Sequence, residues 1–265
     1  MTLTSYLLIT LLGLIIGSFL NVVIYRLPIM MKREWDPNTT EPSLDLCAPR
    51  SQCPHCHTPL SIRHNIPLLG FILLKGRCYH CHESISWRYP LIELTSALLA
   101  VICFWRFGIS YAMVGALIFS WGLLTASAID IAEKFIPDNI TLPLLWLGLI
   151  ANAFSCYTSP TSAILGAAIA YLLFWSIAKL FFIIRKKEGL GYGDFKLLAM
   201  LAAWLGMESI TSIILLASIS GIMISVALML SKKLKPADQI PFGPFLALAG
   251  WYTMMFGSVV AHLLK

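Results

Sequence analysis

Charge is scarce in this chain, and acid is scarcer than base. Asp and Glu number 13 of the 265 residues, Lys and Arg 19, and charged residues of all kinds make up 12%. Soluble domains carry roughly 25%, so a water-exposed globule of this length is excluded. With a mean hydropathy of +0.80, the solvent is lipid. Repeats and low-complexity tracts are also missing, so the chain divides into apolar helices and one long polar insert, roughly residues 26 to 89. No glycine-rich nucleotide fingerprint is present. No basic residue precedes the first apolar run, and no small-residue cleavage site follows it before Tyr25-Arg26-Leu27-Pro28. That run reads as a retained span and not as a secretory signal.

What the chain does have is apolar runs of membrane length. They cover Leu3 to Val23, Pro90 to Phe107, Tyr111 to Ile129, Ile140 to Phe154, Ala163 to Ile184, Ile210 to Leu230 and Phe245 to Leu264, with a shorter one from Leu197 to Leu205. Orientation follows from lysine and arginine. The insert carries Arg26, Lys32, Arg33, Arg50, Arg63, Lys75, Arg77 and Arg88. If it is cytoplasmic and the spans alternate, Lys134, the group Arg185, Lys186, Lys187 and Lys196, and the group Lys232, Lys233 and Lys235 fall on the same side. Arg106 and Lys265 fall outside, and Lys179 lies within a span. Counting Leu197 to Leu205 as a crossing is what keeps the Lys232 loop inside, so eight crossings fit better than seven. A run that short has to be buried by its neighbours or sit where the bilayer thins. The net charge of +6 is then a topology signal, and nucleic acid is not called for as a partner.

Within the insert stand Cys53-Pro-His-Cys56 and Cys78-Tyr-His-Cys81, two C-x2-C pairs with 21 residues between them. Each pair sets two thiolates at one tight turn, and two such turns close a tetrahedron around zinc. Disulfides are the competing reading, but the inferred compartment is reducing. With all four positions filled by protein, the zinc would be structural. Arg50, Arg63, Lys75 and Arg77 could offset the surplus thiolate charge. His55, His57, His80 and His82 read as substitute zinc ligands or, more plainly, as solvated loop histidines, Cys47 as a spare thiol, and Cys103 and Cys156 as small apolar residues. The expected fold is an all-α polytopic membrane protein of about eight transmembrane helices, with a zinc-ribbon-like cytoplasmic loop between the first and second. Its parts are a first helix (1–25), the cysteine loop (26–89) and a seven-helix membrane domain (90–265).

Ionisable residues at membrane depth are expensive and point to function; here they are Glu93, Asp130, Lys179 and Asp194. Asp130 closes the run Tyr111 to Ile129, and Asp194, in Gly189-Leu-Gly191-Tyr-Gly193-Asp194, opens the run at Leu197 on the same face. Two carboxylates at equal depth are what an aspartic protease needs, one to take a proton from water and one to hydrogen-bond the scissile carbonyl. Gly191 and Gly193 would then let an extended substrate backbone approach, and Lys196 would either tune the pair's charge or anchor the helix at the interface. Helix-end capping is the other reading of both acids. Asp138 rivals Asp130, although Ile136-Pro137-Asp138-Asn139 reads as a turn capping the next helix.

These blocks resemble the type IV prepilin peptidases, a family of GxGD-type intramembrane aspartyl proteases. The resemblance runs nearly end to end: GSFLNVVIYRLP (Gly17 to Pro28), SQCPHC (Ser51 to Cys56), NIPLLGFILLKGRCYHC (Asn65 to Cys81), RYPLIEL (Arg88 to Leu94), the D-x6-PD element (Asp130, Pro137, Asp138), GYGDFKLLA (Gly191 to Ala199) and PFGPFLALAG (Pro241 to Gly250). It implies that Asp130 and Asp194 are the catalytic pair. The implied substrates are prepilins of type IV pili and pseudopilins of type II secretion, cut after the glycine that ends a basic leader. It further implies N-methylation of the new amino terminus from S-adenosylmethionine, an activity attributed to the region of the cysteine loop, in a multi-pass protein of the bacterial inner membrane whose loop and acids face the cytoplasm.

No residue is assigned to S-adenosylmethionine. Asn21, Tyr25 and Arg26 either anchor the first span or serve methyl transfer or substrate. Glu93 is either a first-turn acid or a partner for the leader's basic charge. Phe242, Gly243 and Pro244 read as a turn into the last helix. A secondary transporter would use the same acids as ion sites but predicts inverted repeats. A non-enzymatic assembly factor would tolerate loss of Asp194 but not of the cysteines.

Overall fold

The computed structural model describes residues 2–35, 44–48, 50–186, 191–231 and 240–257. Lys187, Gly189, Lys232, Lys233, Lys235 and Lys265, which entered the reading of the basic loops and the glycine motif, lie outside them. The described residues form α1 (Leu3–Trp35), α2 (Leu69–Leu73), α3 (Arg88–Phe107), α4 (Tyr111–Glu133), α5 (Asp138–Ala153), α6 (Pro160–Arg185), α7 (Tyr192–Leu205), α8 (Ile210–Leu230) and α9 (Gly243–Phe256), with short 3-10 turns at Ile62–Asn65 and Met207–Ser209. Among these residues extended pairing is limited to two isolated bridges, both in the cysteine region. Each apolar run of the sequence carries a helix, and α2 is an addition within the insert.

Five segments are long and apolar enough to cross a bilayer: α1, α3, α4, α6 and Met207–Leu230, which contains α8. The chain is a multi-pass membrane protein. The described parts of α5, α7 and α9 are shorter, at 16, 14 and 14 residues. One boundary moves. The first helix was expected to end by Tyr25, but α1 continues to Trp35 with Pro28 inside it. Ile24, Leu27, Pro28 and Met31 are all buried, so the extra turns bury an apolar stripe at helical spacing, which offsets the hydrogen bond that proline removes. Lys32 and Arg33 in the last turn complement the helix dipole.

The chain divides into two compact units, Met1–Met113 and Val114–Lys265. This cut places α3 with α1, whereas the sequence reading grouped it with the later helices. The physical reason is a seam of small residues. A Cβ on Gly13 would lie 2.6 Å from Ala97 Cα, and one on Gly17 would lie 2.7 Å from Glu93 Cα. The two backbones touch through this glycine pair, the spacing that lets apolar helices pack in lipid. Hydrogen bonds run along the same seam: Ser96 Oγ donates to the Gly13 carbonyl (2.6 Å), and Asn21 Nδ2 donates to the Tyr89 carbonyl (3.0 Å). Contacts at 13/97, 17/93 and 21/89 make the pair antiparallel.

In the second unit α7 is the centre. Phe195 and every residue from Leu197 to Trp204 are buried, by packing against α5, α6 and α9. That resolves the problem of the short run: a 14-residue helix spans only about 21 Å, but protein surrounds it. Its end is fixed by Asn152, which is fully buried. Asn152 Nδ2 donates to the carbonyls of Ala203 (2.8 Å) and Trp204 (2.9 Å), and Oδ1 accepts from the amides of Tyr157 (3.0 Å) and Thr158 (3.1 Å). One side chain thereby satisfies orphan groups of both α7 and the α5–α6 turn. Trp204 locks the same end, its Nε1 donating to the Leu144 carbonyl (2.7 Å) while its ring lies where a Cβ on Gly148 would stand.

Candidate functional site

Two clusters of chemistry-bearing side chains form, one in each unit. In the first, the two cysteine turns repeat each other. The amide of Cys53 donates to Thr58 O and that of His57 to Cys53 O; likewise the amide of Cys78 donates to Glu83 O and that of His82 to Cys78 O. Bridges Gln52–Pro59 and Arg77–Ser84 close the two turns at equivalent positions. His57 and His82 both adopt φ near +55°. These two histidines thus mark where each chain reverses.

The four sulfurs all lie within 4.8 Å of one another, with Cys53 Sγ to Cys81 Sγ at 3.8 Å and Cys56 Sγ to Cys78 Sγ at 3.9 Å. A tetrahedron with Zn–S bonds of about 2.3 Å has sulfur–sulfur edges of about 3.8 Å, so the cluster fits zinc in size and in number of donors. The thiols also compete for charge. The Thr58 hydroxyl, and then its amide, hold Cys56 at about 6. Amides of Cys81 and His80 lower Cys78. Cys81 receives the Glu83 amide, but desolvation and the neighbouring sulfurs of Cys78, Cys56 and Cys53 outweigh it and push Cys81 up to about 12. A divalent ion at the centre would stabilise the thiolate form of these ligands.

In the second unit the acids are assembled from three helices. Asp130, 5% exposed, sits in the last turn of α4, and its carboxylate accepts the amide of Gly243 at the start of α9. A Cβ on Gly243 would come within 2.5 Å of Asp130 Oδ2. Only glycine permits this approach, which puts the electropositive end of α9 on the carboxylate. Asp194 is half-buried in the first turn of α7 and accepts the amide of Gly191, the N-cap residue. An acid reaching back from the third helical position to the N-cap amide is half of a capping box. Capping and chemistry are therefore not exclusive for Asp194, because its carboxylate also feels the Asp130 charge.

The remaining sequence candidates separate. A Cβ on Gly191 would meet nothing closer than Asp194 Oδ2 at 3.5 Å, so Gly191 is open to an approaching backbone. Gly193 is bare for another reason: its Cβ would stand 3.0 Å from Ile136 Cβ. Lys196 is committed to Asp138, with Nζ donating to both carboxylate oxygens at 2.8 and 2.6 Å. Asp138 opens α5 with no side-chain cap in evidence at Pro137, so its carboxylate serves the ion pair and not the capping turn. Glu93, in the first unit, accepts the Leu68 amide (2.8 Å) and a bond from Ser18; it holds the insert to the α1–α3 pair. Arg26 is buried and donates to the Asp45 carbonyl (2.7 Å).

Gly243 approaches the Asp130 carboxylate and Ile136 packs against Gly193 and Gly243, contacts that residue-by-residue reading did not find. The signals were the PFGPF block for Gly243 and the fixed interval between Asp130 and Pro137 for Ile136. The arrangement offers a protected carboxylate, a second carboxylate in its field, and open backbone at Gly191.

Known proteins match the chain over nearly its whole length. The sequence model of the bacterial peptidase A24 N-terminal domain matches residues 11–107, and that of the type IV leader peptidase family matches residues 117–226. The chain is 44% identical to the prepilin leader peptidase/N-methyltransferase of Stutzerimonas stutzeri, over 94% of this chain and 90% of that protein. It is 43% identical to the protein of the same name from Aeromonas hydrophila, over 96% and 92%. Against that of Pseudomonas aeruginosa the identity is 42%, over 95% and 90%. No solved structure matches.

Proposed function

This chain belongs to the type IV leader peptidase family, and on that premise we propose that it removes the leader of type IV prepilins and pseudopilins and then N-methylates the new terminus. The observation that supports the reading is that the Asp194 carboxylate, at the start of α7, lies in the field of Asp130 at the end of α4. The engagement of Asp138 with Lys196 favours Asp130 over Asp138 as the partner of Asp194.

Hydrolysis needs one acid ionised and one protonated. The carboxylate takes a proton from water as the water oxygen bonds to the scissile carbonyl carbon. The acid gives its proton to the carbonyl oxygen, forming a neutral tetrahedral diol. On collapse a hydroxyl proton of the diol passes back to a carboxylate, the carbon–nitrogen bond breaks, and the departing amine takes the second acid's proton. Both carboxylates face a glycine amide, Asp130 that of Gly243 and Asp194 that of Gly191, so one acid of the pair serves as base while the other serves as proton donor. Gly191 offers the bare backbone along which an extended leader can lie.

The insert between α1 and α3 is the methyltransferase-associated region, with zinc on Cys53, Cys56, Cys78 and Cys81 as its structural staple. S-adenosylmethionine would supply the methyl group to the freed amine. The first unit holds polar atoms that such a charged ligand could use: among the described residues Asn21 Oδ1 and Arg88 Nε are buried with no hydrogen-bond partner. In the inner membrane of a bacterium, eight crossings with the loop and both acids on the cytoplasmic side account for the distribution of lysine and arginine. Pilus biogenesis and type II secretion are the processes it would serve.

The test is the intact mass of a prepilin incubated with the reconstituted protein, wild type or Asp194→Asn, with and without S-adenosylmethionine. Wild type is expected to release the leader in both cases and to add one methyl mass only with the donor. Release of the mature chain by Asp194→Asn would leave Asp194 a helix cap and remove the dyad.

A further inference from the structure

The Ile136 side chain has no polar atom to offer the reaction, yet it packs against Gly193, the residue before Asp194, and against Gly243, the residue that approaches the Asp130 carboxylate. It belongs to the link from α4 to α5, six positions after Asp130, and is only 8% exposed. Pro137 follows it, which restricts its backbone to extended conformations. Its Cβ stands 3.0 Å from where Gly193 would carry a Cβ, and its Cδ1 stands 2.7 Å from the same point on Gly243. Gly193 precedes Asp194, and Gly243 supplies the amide on Asp130. One branched side chain therefore fills the space between the two glycines that flank the two acids.

We propose that Ile136 is a specificity-determining residue: it is the apolar wall that admits only glycine at the substrate position whose carbonyl the acids attack. The inference rests on Asp130 and Asp194 being the hydrolytic pair. The carbonyl that is attacked must lie between them, and the Cα of that substrate residue is one bond, about 1.5 Å, away. Its side chain must therefore pass the wall formed by Ile136, Gly193 and Gly243. These groups already touch so closely that a methyl on either glycine would overlap Ile136. Interiors packed at this density do not yield a methyl's volume without rearrangement. A hydrogen passes, and a larger side chain displaces the carbonyl from the acids. Shortening Ile136 opens the wall from the enzyme's side, leaving both carboxylates and their amide donors in place.

The experiment compares initial cleavage rates of two prepilins, one with its native glycine before the scissile bond and one with alanine there. The enzymes are the full-length wild type, Ile136→Val and Ile136→Ala in the same detergent. A tight apolar pocket discriminates one carbon by ~10–200-fold, so wild type is expected to prefer the glycine substrate by about 100-fold. The preference is expected to fall about 3-fold in Ile136→Val and at least about 10-fold in Ile136→Ala, through faster cleavage of the alanine substrate. An unchanged preference in variants that still cut the glycine substrate overturns the proposal. So does a loss of glycine cleavage in both variants, because Ile136 would then hold the acids and not select the substrate. Failure of wild type on the glycine substrate is a different result, which removes the peptidase reading itself.

Discussion

The cysteine cluster and the acid cluster were equally visible as residues and unequally visible as sites. All four sulfurs come from one stretch, Cys53 to Cys81, and their geometry is set by two local turns that repeat the same hydrogen bonds. The acids and their supports come from Asp130, Ile136, Gly191, Asp194 and Gly243, which only the packing of α4, α7 and α9 unites. Spacing encodes the first kind of site because the chain between the ligands is itself the scaffold. For the second kind spacing can only nominate, since the scaffold is the core of the whole unit.

The strongest way to break this comparison is to remove one member from each cluster. Asp194→Asn and Asp130→Asn are each expected to lower prepilin cleavage by about 100-fold or more, the contribution of a positioned acid or base, with zinc content unchanged. Cys56→Ser is expected to do the reverse, abolishing stoichiometric zinc, measured by elemental analysis of the purified protein. Its insert should become sensitive to protease while cleavage falls far less than in the aspartate variants. Equal loss of cleavage in Cys56→Ser and Asp194→Asn would mean that the two units do not divide the chemistry.

The next contrast is between two buried asparagines. Asn152 satisfies four backbone groups around the end of α7, and each group left unpaired costs about 1–3 kcal/mol. Asn152→Leu is therefore expected to destabilise the second unit by at least about 3 kcal/mol, read as a shift in the denaturation midpoint. Asn21 bridges α1 and α3 through Nδ2, but its Oδ1 has no partner among the described residues. Asn21→Leu should cost only about 1 kcal/mol. If the order is reversed, the α1–α3 seam and not the α7 terminus is the weaker point of the fold.

Legibility followed the same division. Apolar runs located every described membrane helix, because in lipid a helix announces itself by length and composition. They did not reveal that α1 runs on to Trp35, since Pro28 and three basic residues, Arg26, Lys32 and Arg33, interrupt the run that carries the buried stripe of Ile24, Leu27 and Met31. They also could not place α3 with α1, because Gly13 and Gly17 declare a close approach without naming the partner. At the acids, Asp130 and Asp194 stood out as costly charges. Gly243 and Ile136 both read as parts of turns, because what each contributes is an approach distance.

The smallest expected effect concerns Lys196, which by sequence either tunes the charge of the acids or anchors the helix at the interface. Its Nζ is shared between both oxygens of Asp138, and the pair is partly exposed, 29% and 44% by side chain. Ion pairs of this kind contribute about 0–1 kcal/mol, so Lys196→Met should change stability little. If the pair acts only as a tether between α5 and α7, exchanging the partners, Asp138→Lys with Lys196→Asp, should restore whatever cleavage either single change loses. If instead the lysine charge itself tunes the acids, the exchange should fail while Lys196→Arg succeeds. The two outcomes separate support from chemistry at the Lys196–Asp138 pair.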